Sequence, residues 1–476
     1  MIPVRFQPVL AELAPLSERF RAAGHRLYLV GGTVRELLSG EIDPDVDVLD
    51  YDATTDAHPD QIKALLHGWA DAMWTPGERF GTIGAKKRGP HGDRVYEITT
   101  HRAEAYADDS RKPVVEFSDD LSLDLSRRDF TINAMALELT SEAPTLADPF
   151  GGAADLATRT LRTPLAPQVS FSDDPLRMLR AARFIARLGV VPVPDLVQAV
   201  RELSGRLAIV SAERIRDELD KLMTVPNPSA GLWFTIATGL CEQFLPELPA
   251  MRLEQDPIHR HKDVLTHTLA VVENVRPDAQ PDFDFRRTRL AALFHDVGKP
   301  RTRGYMQGKG VTFHHHDAVG ARMTRKRLEA LRYSNDDVQA ITELVALHLR
   351  FHTYAMGWTD SAVRRYVRDA GPLLRELNVL TRCDCTTRNE NKALMLSRRM
   401  DDLEARIAEL AEKEELAAIR PEIDGSQVME LLGVPPGKVV GKALAFLLEI
   451  RLEEGMIGEV EIRRRLNDWW LEQQGR

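Results

Sequence analysis

The stretch LYLVGGTVRELLSGEIDPDVDVLD, Leu27–Asp50, sets the architecture of this 476-residue chain. Its first four residues are an apolar run of strand length, Gly31 and Gly32 let the backbone approach a ligand, and Thr33–Leu38 repeats its apolar residues at helical spacing. The first-turn N–H groups of such a helix favour an anion, and Arg35 adds a planar fork for phosphate oxygens. Beyond the turn at 39–44, Asp45 and Asp47 stand two apart in an extended run, so both carboxylates point to one face. Two hard oxygen ligands on one face suit magnesium. A Gly-Gly pair alone is an ordinary turn and a lone Asp-x-Asp is ordinary surface. The order of the pieces is what predicts a nucleotide site in an α/β domain.

That order resembles the head of the polymerase-beta-like nucleotidyltransferases, in particular the bacterial class of tRNA CCA-adding enzymes and poly(A) polymerases, whose pattern is Gly-Gly-x-Val-Arg-Asp followed by Asp-x-Asp. Glu36 stands where the family has Asp. The resemblance implies that Gly31, Gly32 and Arg35 bind nucleotide and that Asp45 and Asp47 are catalytic ligands of Mg2+. Val95–Thr99 alternates like a strand, and its Glu97 matches the family's Glu-x-Thr-Thr-x-Arg segment, which implies a third catalytic carboxylate. Asp124–Leu137, DLSRRDFTINAMAL, resembles the family's Arg-Arg-Asp-Phe-Thr-Ile-Asn-Ala motif. By that resemblance Arg128 and Asp129 lie at the nucleotide's sugar and phosphates, and Asn133 supports the pocket. Read for periodicity alone, the same run is an amphipathic helix with a charged start. Asp148–Gly152 resembles the hinge between the family's head and neck, and Tyr106–Phe117, polar and interrupted by proline, reads as a loop.

Ser172-Asp173-Asp174-Pro175 followed by LRMLRAARFIARLG has an acidic helix start, a proline in the first turn and Gly189 as the stop. Read plainly, Asp174 is a cap and Arg177, Arg180 and Arg183 are a solvated face. In the resembling family the segment is Glu-Asp-x-x-Arg, which reads the incoming base, and Asp174 and Arg177 keep that spacing. Cytosine and adenine both offer an amino donor beside a ring-nitrogen acceptor, and uracil and guanine reverse the order. A carboxylate that only accepts and a guanidinium that only donates therefore match C and A. The segment from Ser211 to Leu219 resembles a further neck motif and reads equally as a capped, charged helix.

Histidines concentrate after His259. His267, His295-Asp296, His316, His348 and Asp384 sit in runs of helical periodicity, so they would converge from several helices on an interior metal. The series resembles the HD phosphohydrolase superfamily, which implies a divalent metal of unspecified identity and activated water for phosphoester hydrolysis. Lys299 of HDVGK would meet a phosphate. Among His314, His315 and His316, the last is chosen for its place before Asp317 and a helical run. The segment from Gly425 to Gly437 resembles the ending of HD-bearing CCA-adding enzymes rather than the basic extension common in poly(A) polymerases.

Charged residues make up 28% of the chain and apolar residues 43%, with no apolar run long enough to span a bilayer, no visible secretory signal and three cysteines. That composition excludes a membrane-spanning helical protein and a disulfide scaffold, and it predicts a cytoplasmic location without membrane partners. A net charge of -9 leaves RNA binding to local clusters such as the arginines between Arg159 and Arg216. The expected architecture is multi-domain and mainly α. A polymerase-beta-like nucleotidyltransferase α/β head (1–149) is followed by a helical neck and body for base selection and RNA binding (150–257), an HD phosphohydrolase domain (258–395) and a helical tail (396–476). The expected function is CCA addition to the tRNA 3′ end from CTP and ATP, with hydrolysis of RNA-end phosphates at the HD site. A poly(A) polymerase, an A-only or C-only enzyme, and an RNA-binding HD hydrolase with an inactive head remain open.

Overall fold

The computed structural model describes residues 3–41, 50–89, 92–102, 117–253, 263–279, 281–307, 310–353, 358–386, 389–414 and 419–474. The chain forms two compact units, Met1–Phe244 and Leu245–Arg476.

The first unit opens with α1 (Gln7–Ala22), followed by β1 (Leu27–Val30), α2 (Gly32–Ser39), β2 (Tyr51–Thr55), α3 (Pro59–Leu66), β3 (Ala72–Trp74), β4 (Thr82–Gly89) and β5 (Gly92–Thr100). Then come α4 (Leu121–Ser126), β6 (Ala136–Glu138) and β7 (Leu146–Ala147), completing a sheet in the order β3-β4-β5-β2-β1-β6-β7. Only β2 and β5 run parallel among these neighbours, with Asp52 opposite Glu97. Alternation along the strands splits their side chains between two layers. Leu27 and Leu29 join Leu13, Leu16 and Phe20 of α1 in the main core, whereas Tyr28 and Val30 face a smaller cluster with Leu125. The run Asp124–Leu137 divides in the same way, with Met135 and Leu137 in the main core and Ala134 and Ala136 on the other face. It is therefore a helix end, a single 3-10 turn (Thr131–Asn133) and a strand. The helical periodicity failed because burial on both sides of a sheet leaves apolar residues at every position.

The rest of this unit is helical: α5 (Gly152–Ala157), α6 (Pro167–Asp173), α7 (Leu176–Leu188), α8 (Pro194–Leu203), α9 (Ala212–Thr224) and α10 (Ser229–Ala237), with β8 (Thr160–Leu161) and β9 (Val191–Pro192) as a minor pair. Gly189 ends α7 in the left-handed conformation and Ser211 caps α9, as their sequences predict.

The second unit contains α11 (Glu247–Ala250), α12 (Val264–Asn274), α13 (Phe285–Phe294), α14 (Lys299–Thr302), the hairpin β10 (Gly304–Met306) and β11 (Gly310–Thr312), α15 (His316–Ala330), α16 (Asn335–Leu347), α17 (Asp360–Ala370), α18 (Leu374–Asp384), α19 (Glu390–Lys413), α20 (Gly425–Leu432), α21 (Lys438–Glu454) and α22 (Glu459–Gln474). The boundary expected at 395 falls inside α19, which runs unbroken. Glu414 accepts bonds from Arg364 of α17 at 2.8 and 3.1 Å and from Arg451 of α21 at 2.6 Å, so the end of α19 and α21 are fastened to α17. No helix among the described residues is long and apolar enough to cross a membrane.

Candidate functional sites

The first site grows out of the turn between β1 and α2. Gly31 has φ 76°, and a β-carbon there would stand 3.4 Å from Asp52 Oδ2 and 3.6 Å from Arg128 Nη1. The left-handed angle is what calls for glycine here, and it turns the backbone toward both groups. Thr33 Oγ1 donates to the Asp50 carbonyl at 3.0 Å, which fixes the approach of β2 to the turn. Asp50 and Asp52 are two apart at the start of β2 and Glu97 is opposite Asp52, so three carboxylates share this neighbourhood. Desolvation, reinforced by the charges of Asp52 and Asp50, pushes the Glu97 carboxyl up. Desolvation also raises Asp52, Arg128 opposing it and Asp50 adding to it. Acids crowded until they resist ionisation are a fit for a hard divalent cation.

Asp45 and Asp47 lie outside the described residues, as does all but Phe117 of the loop expected from Tyr106 to Phe117. The acids found beside the turn are Asp50 and Asp52, which sequence reasoning missed. Asp50-Tyr51-Asp52 has the same spacing, precedes the strand-forming Ala53-Thr54-Thr55, and lacks the proline at position 44 that argues against a strand.

Arg35 does not present its fork to the open site. Its side chain is buried, Nη1 donates to Asn133 Oδ1, Nη2 donates to Glu36 Oε1 at 2.7 Å, and its guanidinium lies 5.3 Å from the centre of the Phe184 ring. Asp129 is likewise buried, accepting from Arg180 Nε at 2.8 Å, Asn133 Nδ2 at 2.9 Å and the Phe130 N–H at 2.9 Å. Burial alone would raise its carboxyl, but Arg180 and Asn133 outweigh that and hold it below its ordinary value. Arg187 Nη2 donates to Glu36 Oε1 at 2.6 Å. Arg187, Glu36, Arg35, Asn133, Asp129 and Arg180 thus form one network joining α2, the Thr131–Asn133 turn and α7. Arg35, Asp129 and Asn133 hold the frame of the site, and Arg128 is the member of that motif beside Gly31 and Asp52. The Glu at position 36 has reach enough to serve Arg35 and Arg187 together.

Asp174 immediately precedes α7's capping Pro175. Its Oδ1 accepts from the Leu176 N–H at 3.2 Å and its Oδ2 from Arg214 of α9 at 2.8 Å. Arg177 donates to Ser170 Oγ at 2.9 Å and to the Arg127 carbonyl. Both side chains are therefore oriented by neighbours, and Arg214, read from sequence only as part of a charged helix, is the partner of Asp174. The arginines of α7 are not a solvated face, since Arg180 pairs with Asp129 and buried Arg183 pairs with Glu218 of α9.

The second site lies among α12, α13, α15, α16 and α18. It brings together all six residues expected there. His267, His295 and Asp384 form one set with ligand atoms within 4.8 Å of one another, and Asp296, His316 and His348 form another. His267 Nε2 is 2.9 Å from Asp384 Oδ1, His295 Nε2 is 3.3 Å from Asp296 Oδ2, and His316 Nε2 is 3.4 Å from Asp296 Oδ1. The opposite ring nitrogens are anchored: His295 Nδ1 to the Ala292 carbonyl at 2.8 Å, His316 Nδ1 to Phe313 at 2.8 Å and His348 Nδ1 to Val345 at 2.6 Å. A carbonyl can only accept, so each Nδ1 carries hydrogen and, in the neutral ring, each Nε2 turns a lone pair inward. His267 and His295, and His316 and His348, bring their Nε2 atoms to 3.3 Å of each other. Ring nitrogens facing one another at that distance, with two carboxylates between, fit divalent metal. Burial would lower His295, but Asp296 outweighs it and raises the imidazole to about 9, whereas burial and the charge of His295 push His348 down to about 4. Lys299 Nζ sits 2.6 Å from Asp296 Oδ2. Gly298 admits α15, because a β-carbon on it would stand 2.1 Å from the His316 carbonyl oxygen. Buried His316, after exposed His314 and His315, is the inward member of its histidine run.

Family models match residues 27–162 as the poly A polymerase head domain, 193–251 as "probable RNA and SrmB-binding site of polymerase A", and 264–416 as the HD domain. The A-adding tRNA nucleotidyltransferase of Deinococcus radiodurans is 34% identical over 94% of this chain and 95% of its own. The chain belongs to the poly(A) polymerase-like tRNA nucleotidyltransferase family. It is an enzyme family, and the mainly α architecture with a polymerase-beta-like head is its fold. The CCA-adding enzyme of Geobacillus stearothermophilus is 35% identical over 51% of this chain and 56% of its own, so that match spans about half of each. The crystal structure of the Bacillus stearothermophilus CCA-adding enzyme in complex with CTP shares the fold over 99% of both chains, with a TM-score of 0.69 and 24% identity.

The buried network makes a stability prediction. Arg180→Ala leaves the Asp129 carboxylate buried without its cation and destabilises the first unit by about 3–5 kcal/mol, read from denaturant unfolding of the full chain. A loss below about 1 kcal/mol contradicts the arrangement.

Proposed function

We propose that this chain adds nucleotides to the 3′ end of tRNA, building CCA from CTP and ATP. The observation that carries the proposal is the grouping of Asp50, Asp52, Glu97 and Arg128 around the Gly31 turn, joined by one buried network to the helix that begins beside Asp174 and Arg177. Asp50 and Asp52, with Glu97 beside them, would hold Mg2+, which supplies an acidified 3′-hydroxyl and a screened triphosphate in two-metal nucleotidyl transfer. Gly31 and Gly32 give the phosphates backbone access, and Arg128 is the cation nearest that turn. Asp174 and Arg177 are the proposed base readers, held ready by Arg214 and Ser170. Uracil or guanine would leave them unpaired, a mismatch that discriminates by roughly 10⁴-fold.

The four parts expected from the sequence serve as head, neck and body, hydrolase and tail. A second reading, addition of the terminal A alone, is favoured by the full-length match to an A-adding relative. Transcripts ending before CCA and transcripts ending in CC separate the two. A CCA-adding enzyme extends both, given CTP and ATP, and an A-adding enzyme extends only the second.

The acid assignment is tested on the same transcripts. Asp52→Ala lowers nucleotide addition by more than about 100-fold while tRNA binding in a filter assay persists, and Asp47→Ala, made in parallel, keeps addition near the parent's rate. Loss of addition in Asp47→Ala with retention in Asp52→Ala would return the role to Asp45 and Asp47.

For the second unit we propose a metal-dependent phosphohydrolase acting on RNA-end or cyclic phosphates. His267, His295, Asp296, His316, His348 and Asp384 would hold divalent metal, which supplies a water acidified for attack on phosphorus. Lys299 would meet the phosphate, and the inward Nε2 lone pairs support the assignment. A 3′ end blocked by phosphate has no nucleophile for the head, so clearing it serves the same RNA. His295→Ala eliminates hydrolysis of a 2′,3′-cyclic nucleotide and spares addition to tRNA with a free 3′-hydroxyl. Absence of hydrolysis by the parent across magnesium, manganese, nickel and cobalt would instead assign the cluster a structural role.

A further inference from the structure

A cleft of about 1240 Å³ opens against the histidine cluster, with His267 and Asp384 among its lining residues. A phosphate group alone needs little of that space, and small-molecule sites generally occupy roughly 300–1,000 Å³. The cleft is walled on one side by α19, which contributes Lys392, Met395, Leu396 and Arg399. These positions are i, i+3, i+4 and i+7, so one face of the helix looks into the cleft. Such a face ordinarily buries its apolar residues. Here Met395 is 50% exposed, flanked along the helix by two cations. Arg399 is held in place, its guanidinium 4.9 Å from the centre of the buried Phe351 ring. Phe313 and Val311 also line the cleft, as does Lys299, which joins the cluster through Asp296.

We propose that this cleft is a nucleotide subsite for the hydrolase, taking the terminal nucleotide of an RNA strand with its base against Met395 and Leu396 and its backbone phosphate near Lys392 and Arg399. The inference rests on reading the cluster as a phosphohydrolase centre, and it names what that centre holds besides phosphate. A flat apolar body carrying anionic groups matches the wall: thioether and aliphatic carbon accept the base face, and the cations one turn away on either side accept phosphate. Neither Met395 nor Arg399 belongs to the metal-ligand set, so the subsite acts on affinity and specificity rather than on the attacking water.

The experiment uses the full chain stripped of metal by a chelator and titrated in a calorimeter with uridine 2′-monophosphate and with inorganic phosphate. Uridine is chosen because the base readers of the first unit disfavour it. The nucleotide binds at least about tenfold more tightly than phosphate, Met395→Asp weakens it by at least about tenfold, and Met395→Leu retains it within about threefold. An unchanged circular dichroism spectrum assigns the loss to the cleft rather than to unfolding. Equal affinity for nucleotide and phosphate, no binding of the nucleotide by the parent, or unaltered binding by Met395→Asp overturns the proposal. Failure of the metal reading has a different signature: manganese binds the parent and His295→Ala alike, while the nucleotide titrations still separate Met395→Asp from Met395→Leu.

Discussion

A carboxylate buried like that of Asp129 needs donors on every side, because an ion removed from water is tolerated only when paired and hydrogen-bonded. Arg180 of α7 supplies the charge and Asn133 the amide, and Asn133 in turn receives Arg35 of α2. Glu36 closes the line by accepting from Arg35 and from Arg187, one α-helix away. The glycine turn, the Thr131–Asn133 turn and α7 are thus one electrostatic object. Removing Arg180 strands the buried Asp129 carboxylate, so the spacing of the Thr131–Asn133 turn and α7 is held by a penalty rather than by loop geometry.

That object explains what the sequence made legible and what it concealed. The Gly31-Gly32 turn, the strand before it, the helix after it and the stop at Gly189 were readable because each depends on local chemistry. All six metal-ligand candidates, four histidines and two aspartates, were also readable, since such a set declares itself by residue type. Arg35 and Asp129 were legible as important and not as buried, because a charged side chain's partner lies far away in sequence: position 35 meets 133, and 129 meets 180. The same blindness hid Arg214, whose only sign was a charged helix. Asp50-Tyr51-Asp52 was concealed differently, by a second Asp-x-Asp just upstream with identical spacing. Asp52 opposite Glu97 is a fact of strand pairing, which no spacing along the chain displays.

In the second unit the constraint is tautomeric. Backbone carbonyls at Ala292, Phe313 and Val345 fix the hydrogen on the outer nitrogen of three histidines, so in the neutral rings the inner nitrogens accept. Each carbonyl lies three residues before its histidine, Ala292 and Val345 in the last turns of α13 and α16 and Phe313 just before α15. Local backbone therefore sets the chemistry of the cluster before any ion arrives. The tail is tied to this body by the Arg364, Glu414 and Arg451 contacts, which lets α19 serve as both structural strut and cleft wall.

The claim that matters most is that base choice and catalysis share one frame through Glu36 and Arg187. A double-mutant cycle of Glu36→Gln and Arg187→Gln, scored as the ratio of ATP to UTP incorporation into tRNA transcripts ending in CC, measures it directly. The account predicts that each single substitution relaxes the rejection of UTP and that the double variant is no more relaxed than the worse single. Ratios equal to the parent's in both singles, or effects that simply add, would contradict it.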